Sequence, residues 1–163
     1  MTTRARDDLM AELWPLSRRY LASYVLFNQA VADHLGMHPT DVQCLNLLTL
    51  EDAPVTTGRI AELTGLTSGS ATRLVDRLEK AGLVERRRDE ADRRRVLVAV
   101  RPEALERFGA LWRELGADWA PVFDEDSEAE LAFLLRHMRR TVELGHRQVA
   151  RLAAKDAKGA KET

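Results

Sequence analysis

Residues 57–100 contain the pattern that most constrains the fold of this 163-residue chain. Ile60 and Leu63 fall on one face of a short amphipathic helix, and Gly65 suits the left-handed backbone that ends helices. A second apolar pattern at helical spacing begins directly after Gly65, and an alternating, arginine-rich segment follows it. The order predicts a helix, a tight turn, a second helix and a hairpin.

The second of these helices is predicted over residues 67–81, where Thr67 is placed to cap the first turn. Apolar residues recur at helical spacing along one face, at Ala71, Leu74, Val75 and Leu78. The other face carries small hydroxyl side chains followed by longer cations: Ser68, Ser70, Thr72, Arg73, Arg77 and Lys80. Such a face suits the major groove and a nearby phosphate, so this is a candidate recognition helix. An ordinary solvated face is the alternative interpretation.

A two-stranded hairpin is predicted over residues 84–100, with turn chemistry in the acidic segment 89–92. Three consecutive arginines lie at its tip or on its return strand: Arg93, Arg94 and Arg95. Long cationic side chains at such a tip can reach a phosphate or enter a narrow minor groove. Asp92 is close enough in sequence to hold one of them in place.

The charge distribution favours the same segment as a DNA-binding site. The whole chain has 25 basic and 26 acidic residues, a net charge of −1. Residues 73–101 contain ten basic and six acidic residues, a net of +4, which leaves 15 basic and 20 acidic residues, a net of −5, elsewhere. An acidic body with one basic module would present that module to double-stranded DNA, as a winged helix-turn-helix does.

Residues 66–100 resemble the recognition helix and wing of MarR-type transcriptional regulators. Their sequence is LTSGSATRLVDRLEKAGLVERRRDEADRRRVLVAV, and the match in residue type and spacing is carried by RLVDRLE, GLV and the wing acids and arginines. The resemblance implies base contacts in the major groove by Ser68, Ser70, Thr72 and Arg73. It also implies that Arg94 is the wing arginine of the minor groove, that Asp92 orients it, and that Arg77 pairs with Asp92 or lies near phosphate.

Long helices are predicted on both sides of this module. The first carries a stripe of apolar residues that ends near Gly36, and Pro15 predicts a kink or a short helix followed by a longer one. A helix from Asp41 to Leu50 is expected to open with a capping box of Thr40 and Gln43.

After the hairpin, Pro102 suits the first turn of another helix, which is expected to end at Pro121. A second capping box, of Ser127 and Glu130, opens the last helix. Both helices carry apolar residues along one side, at spacings of three and four.

The expected fold class is mainly α with a small β-wing: a winged helix-turn-helix domain flanked by N- and C-terminal dimerisation helices. Its expected segments are dimerisation helices at 1–36, the module at 37–101, further dimerisation helices at 102–154 and a flexible tail at 155–163. Long apolar stripes favour a two-fold dimer over a monomeric helical bundle. The resemblance strengthens the dimer, whose two modules would read half-sites about one helical turn apart.

MarR-type regulators often respond to small aromatic or phenolic molecules in a cleft between the dimer helices and the DNA module. The resemblance therefore implies an effector pocket with aromatic and polar candidates: Trp14, Tyr20, Tyr24, Phe27, His34 and Trp112. Aromatic residues at helical spacing more often fill a core, which is the alternative for each of them.

Cys44 lies among leucines without a nearby cation, so a buried structural cysteine is favoured over an oxidation switch. His34 and His38 are four apart, but Gly36 and Pro39 argue against a metal site on one helix.

No catalytic motif is recognisable, and the chain is predicted not to be an enzyme and to have neither metal nor cofactor. No apolar run has membrane-spanning length and MTTRARDDLM lacks the core of a secretion signal, so a cytoplasmic protein without membrane contact is expected.

The predicted function is that of a ligand-responsive MarR-type repressor, which binds a pseudo-palindromic operator as a homodimer. The alternative is a winged helix used for protein contact, as an interaction module or an antirepressor. Binding through phosphates weakens steeply with salt, whereas a mainly apolar protein interface changes little, so salt dependence separates the two hypotheses.

Overall fold

The computed structural model describes the backbone of residues 3–159. Its helices and strands follow in the order α1 (Thr3–Leu35), α2 (Pro39–Leu48), β1 (Val55–Thr56), α3 (Thr57–Thr64), α4 (Ser68–Lys80), β2 (Val84–Arg88), β3 (Val96–Val100), α5 (Pro102–Ala117), a short 3₁₀ helix (Ala120–Phe123) and α6 (Glu128–Gly159). The chain forms two compact units, which meet in the sequence between Leu105 and Glu106. The expectation of a mainly α chain with a small β-hairpin is confirmed.

The two short helices α3 and α4 form as the sequence predicts. Gly65 ends α3 with φ 69°, and Thr67 caps α4 by accepting a hydrogen bond from the backbone N–H of Ser70 at 3.3 Å. Ile60 of α3 is fully buried, as is the predicted apolar face of α4, at Ala71, Leu74, Val75 and Leu78. The tight turn at Gly65 therefore brings two amphipathic helices together while the opposite face of α4 stays exposed.

The hairpin is part of a three-stranded antiparallel sheet with the order β1-β3-β2. Val84 of β2 is paired with Val100 of β3, and Val84 itself is buried. Gly82, with φ 70°, turns the chain out of α4 so that β2 runs back beside that helix. The strand β1 was not predicted, because two residues are too short to show an alternating pattern.

The predicted start of α2 is wrong. The helix begins at Pro39, and His38 is its N-cap, with Nδ1 accepting from the backbone N–H of Thr40 at 3.2 Å. Proline is favoured in a first helical turn because it has no N–H that needs a partner. The expected capping box of Thr40 and Gln43 is therefore replaced by a cap that lies two residues earlier.

The terminal helices also differ in length from the expectation. Pro15 lies inside one continuous helix, so the expected short helix followed by a longer one is wrong, and the alternative of a kink at Pro15 stays a prediction. The helix α5 ends at Ala117, and Pro121 lies in the 3₁₀ helix that follows. The helix α6 continues beyond residue 154 to Gly159, into the expected tail, of which residues 160–163 lie outside the described residues.

The capping box at the start of α6 is confirmed. The backbone N–H of Ser127 donates to Glu130 Oε2 at 2.8 Å, and the N–H of Glu130 donates to Ser127 Oγ at 3.4 Å. The hydroxyl of Ser127 also donates to Glu130 Oε2, and this hydrogen bond, together with the one from the backbone N–H of Ser127, lowers the pKa of Glu130. Among the described residues, no helix has the length and apolar character needed to cross a membrane.

We expect Gly65→Ala to lower the free energy of unfolding by about 1 kcal/mol, because a Cβ is strained at positive φ. Gly58→Ala is the matched control, since Gly58 is helical and a Cβ there would lie 3.7 Å from Thr56 Oγ1, an ordinary contact. The control should be neutral or raise stability by up to ~1 kcal/mol. Urea unfolding at one fixed protein concentration measures both changes; equal effects of the two variants would contradict the role given to Gly65.

Candidate nucleic-acid interface

The exposed face of α4 begins at the N-terminus of the helix, where backbone N–H groups lack partners within the helix. Ser68, Thr72 and Arg73 are exposed on this face, and Ser70 is partly buried. The Thr72 hydroxyl donates to the carbonyl of Ser68 at 2.9 Å, which leaves its oxygen as an acceptor. Short polar groups and the open helix end together form a surface that can approach an anion or a base edge.

A chain of three side chains orients Arg73. The hydroxyl of Thr67 donates to Ser70 Oγ at 3.0 Å, and Arg73 Nη2 donates to the same oxygen, also at 3.0 Å. The N-cap that starts the helix is therefore connected to the arginine on its exposed face. Ser70 supports Arg73 in this structure, a role that the sequence prediction of direct base contact did not include.

Arg77 pairs with Asp41, so the predicted pair between Arg77 and Asp92 is wrong, and the alternative, that Arg77 lies near phosphate, stays a prediction. Arg77 Nη2 lies 2.6 Å from Asp41 Oδ1, and Nε lies 3.1 Å from Oδ2. Asp41 is only 6% exposed, whereas half of the Arg77 side chain is accessible to solvent. The hydrogen bond to Asp41 raises the pKa of Arg77. This bidentate pair joins the first turn of α2 to the middle of α4.

A second ion-pair cluster joins α4 to β2. Arg86 Nη2 donates to Asp76 Oδ1 at 2.6 Å, Nη1 donates to the carboxylate of Glu79, and the backbone N–H of Arg86 donates to Glu79 Oε1 at 3.2 Å. Partial burial opposes the charge of Arg86, but hydrogen bonds to both acids outweigh it and raise its pKa. Sequence reasoning missed this cluster; its only local signal is the pair of acids three residues apart on the predicted helix.

The tip of the hairpin is organised by two aspartates. Asp89 Oδ1 accepts from the backbone N–H of Ala91 at 2.9 Å, and Asp89 Oδ2 lies 3.6 Å from Arg95 Nη1. Asp92 Oδ1 accepts from the backbone N–H of Arg94 at 3.0 Å. Asp92 thus holds Arg94 through its backbone, and the predicted guanidinium contact is not among the hydrogen bonds of the described residues. The acid that holds an arginine side chain at the tip is Asp89.

The arginines of this module fall into two groups. Arg77, Arg86, Arg87 and Arg95 take part in ion pairs with acids of the same compact unit. Within the part of the chain that the structure describes, no ion pair involves Arg73, Arg88, Arg93, Arg94 or Arg101, all of which are exposed. The cations without an internal acid partner therefore include one on the exposed face of α4 and two at the hairpin tip.

A cleft of about 590 Å³ lies beside α4. Ser70, Arg73 and Arg77 of α4 line it together with His38 and Asp41. The predicted effector-pocket residues lie elsewhere: Trp14, Tyr20, Tyr24 and His34 are exposed on α1, Phe27 is partly buried there, and Trp112 is a partly buried residue of α5.

Cys44 is buried, as predicted. Burial, together with the nearby charge of Asp41, raises the pKa of its thiol to about 12. The thiolate is the reactive form, so this environment disfavours reaction with oxidants at neutral pH. Among the described residues, no group of three or more His, Cys, Asp or Glu side chains is arranged to hold a metal ion.

Comparisons with known proteins agree with this geometry. The family model described as the MarR family matches residues 35–95. The HTH-type transcriptional regulator YcgE of Bacillus subtilis (strain 168) is 36% identical over 153 residues, covering 93% of this chain and 99% of the relative. YfiV of the same organism, also an HTH-type transcriptional regulator, is 33% identical over 117 residues, covering 69% and 72%.

Among solved structures, a MarR family protein from Bacillus stearothermophilus has a TM-score of 0.66 and 26% identity, covering 84% of this chain and 95% of that chain. The fold and exposed helix are those of a winged helix-turn-helix protein. The chain belongs to the MarR family of DNA-binding transcriptional regulators. The predicted family and fold class are confirmed, and membership of this regulatory family also supports the prediction that the chain is not an enzyme.

We expect Arg77→Ala to lower the free energy of unfolding by about 2 kcal/mol, because it leaves the buried carboxylate of Asp41 without its partner. Arg73→Ala removes an exposed arginine from the same helix and should cost less than ~0.5 kcal/mol. Adding Asp41→Asn to Arg77→Ala should recover part of the loss, because the unpaired buried charge is then gone. Thermal and urea unfolding check the series; equal, small effects of both arginine variants would show that the pair does not stabilise the fold.

Proposed function

We propose that this MarR-family regulator binds a pseudo-palindromic operator as a homodimer, acts as a repressor and is released by a small aromatic or phenolic effector. The observation that carries the DNA-binding mode is the position of its unpaired arginines. Arg73 lies on the exposed face of α4, and Arg93 and Arg94 lie at the hairpin tip. A phosphate or a base edge can engage these cations without first breaking an internal ion pair.

In the proposed complex, the N-terminal half of α4 enters the major groove. Arg73 is long enough to bind a guanine through two hydrogen bonds, and its contact with Ser70 orients it in advance. Ser68 and Thr72 lie beside it with short polar groups for bases or phosphates. Arg77 keeps its bond to Asp41 and presents its exposed side to a phosphate.

The hairpin is the wing of this complex. Arg94 enters the minor groove, with its backbone held by Asp92, and Arg93 and Arg95 contact the flanking phosphates. The turn around Asp89 limits how far the tip can move, which lowers the entropy lost on binding. In this complex α4 contacts the major groove and the wing contacts the adjacent minor groove of the same duplex.

The homodimer is supported by apolar surface on the terminal helices. Leu9, Trp14 and Leu26 of α1 are 68%, 69% and 70% exposed, and Val142 and Leu152 of α6 are 58% and 60% exposed. Proteins that act as monomers rarely leave stripes of this kind in water, and a two-fold partner covers them with the same surface of a second copy. Two modules related by a two-fold axis require two inverted half-sites.

Release by an effector is supported by the cleft beside α4, because Arg73 and Arg77 face both the cleft and the exposed surface of the helix. A small molecule held there changes the surroundings of two residues that we assign to DNA. The pocket residues predicted from the sequence are not among those that line this cleft, so an effector pocket formed by Trp14, Tyr20, Tyr24, Phe27, His34 and Trp112 stays a prediction. Repression follows if the operator overlaps a promoter, and a protein that binds chromosomal operators acts in the cytoplasm.

Selection from random double-stranded oligonucleotides tests this proposal. We expect enrichment of two inverted half-sites with centres ~10 base pairs apart, and an affinity that falls steeply with salt because several phosphate contacts release counterions. A folded protein that enriches no sequence in dilute buffer would contradict the DNA-binding mode. Enrichment of a single, unrepeated half-site would contradict the dimer.

Loss of the wing arginine should weaken binding without altering the fold. We expect Arg94→Ala to raise the Kd for the selected operator about tenfold and to reduce the salt dependence by about one counterion. Arg113→Ala is the control, because Arg113 is exposed on α5 outside the basic module. Arg73→Ala should instead relax the preference at one base position. Fluorescence anisotropy over a salt series checks these variants; equal Kd values for Arg94→Ala and Arg113→Ala would reject Arg94 as a DNA contact.

A further inference from the structure

We propose that Arg86 is a positioning residue for DNA binding: it fixes the wing relative to α4, so that Arg94 and the exposed face of α4 reach the duplex together. The inference rests on the DNA-binding mode proposed above and adds to it a residue that itself contacts no DNA. Its basis is the cluster that joins β2 to α4.

The cluster is well suited to hold two elements at one angle. Asp76 and Glu79 are three residues apart on α4 and therefore adjacent on its surface. The planar guanidinium of Arg86 donates to both carboxylates through different nitrogens, and the backbone N–H of the same residue donates to Glu79. Both the side chain and the backbone of one β2 residue are thus bonded to α4, which restricts rotation and sliding of the strand.

Arg86 also lies at a suitable place along the wing. Val84, two residues earlier, is buried in the core below, whereas Arg88 at the end of β2 is exposed. Arg86 is opposite Val98 in the hairpin register, so it lies midway between the buried end of the strands and their tip. The core holds one end of the hairpin, and Arg86 adds a second point of attachment closer to the tip.

The neighbouring arginine lacks this arrangement. Arg87 pairs with Glu85 of its own strand, so its ion pair does not connect β2 to α4. Removal of Arg86 or Arg87 changes the net charge of the strand equally, but only removal of Arg86 breaks the ion pairs between β2 and α4. Arg87→Ala is therefore a control matched in position, residue type and charge.

Positioning has an energetic consequence that differs from direct contact. Helix and wing act as two linked binding elements, and a fixed angle raises the effective concentration of the wing at its groove once the helix has bound. Loosening the wing lowers this effective concentration, and the loss affects the measured Kd only if the wing itself contacts DNA. The effect of Arg86 should therefore depend on the presence of the wing arginines assigned to DNA, Arg93, Arg94 and Arg95.

A double-mutant cycle on the selected operator tests this dependence. We expect Arg86→Ala to raise Kd at least fivefold, Arg87→Ala to raise it less than twofold, and Arg86→Ala to add less than twofold in a background that lacks all three wing arginines assigned to DNA (Arg93→Ala, Arg94→Ala and Arg95→Ala). Additive effects would overturn the inference, because they would indicate that Arg86 binds a phosphate itself or that the two freed acids repel DNA in either background. An unchanged Kd for Arg86→Ala would also overturn it.

Hydrogen–deuterium exchange of the DNA-free protein provides a second readout. Arg86→Ala should accelerate exchange over residues 84–100 and leave α3 unchanged, whereas acceleration throughout both would show a general loss of stability and overturn the inference. Asp76→Asn removes the charge of one of the two carboxylates in the cluster and replaces Arg86→Ala as the test variant if Arg86→Ala does not fold. It should accelerate exchange over the same residues, but by a smaller factor. If the wild type binds no duplex, the proposed function fails and this inference with it; failure of the cycle alone leaves the proposed function intact.

Discussion

The position of α4 depends on carboxylate–arginine contacts on two sides of the helix. Its apolar face fixes the depth at which α4 lies in the core, but apolar contacts are not directional and tolerate sliding. The bidentate pair of Arg77 with Asp41 adds a directional contact to α2, and the cluster of Arg86 adds another to β2. Burial of the apolar face decides which side chains of α4 face outward, and the directional contacts on both flanks connect that helix to α2 and β2.

The arginines of the module therefore have two different roles that composition alone does not separate. A net charge of +4 over residues 73–101 counts paired and unpaired cations equally. In the structure, Arg77 and Arg86 are committed to acids of the scaffold, whereas Arg73 and Arg94 have no such partner among the described residues. The acids that reduce the local charge form ion pairs within the scaffold, and the unpaired cations lie on the surface to which we assign the duplex.

Local signals account for what the sequence predicted correctly. Gly65, Thr67 and the alternation on both sides of the acidic turn act within a few residues, so helix ends and hairpin were predictable. The partner of Arg77 was not, because Asp41 lies 36 residues away and only the packing of α2 on α4 brings the two together. The cap by His38 was missed for a different reason: the more familiar pattern of Thr40 and Gln43 competed with it.

We propose that the cleft beside α4 connects these contacts to regulation. Its walls include Asp41 and Arg77, the pair that joins α2 to α4, and Arg73, which we assign to the DNA. A ligand in this cleft would have two ways to oppose DNA binding: to engage the arginines directly, or to weaken the pair that fixes the helix. Ligand binding and DNA binding are thermodynamically coupled in either case. A ligand that lowers the affinity of the protein for DNA must itself bind more weakly to the protein–DNA complex than to the free protein. Direct engagement of the arginines requires no change in the fold, whereas weakening of the pair requires α4 to move relative to α2.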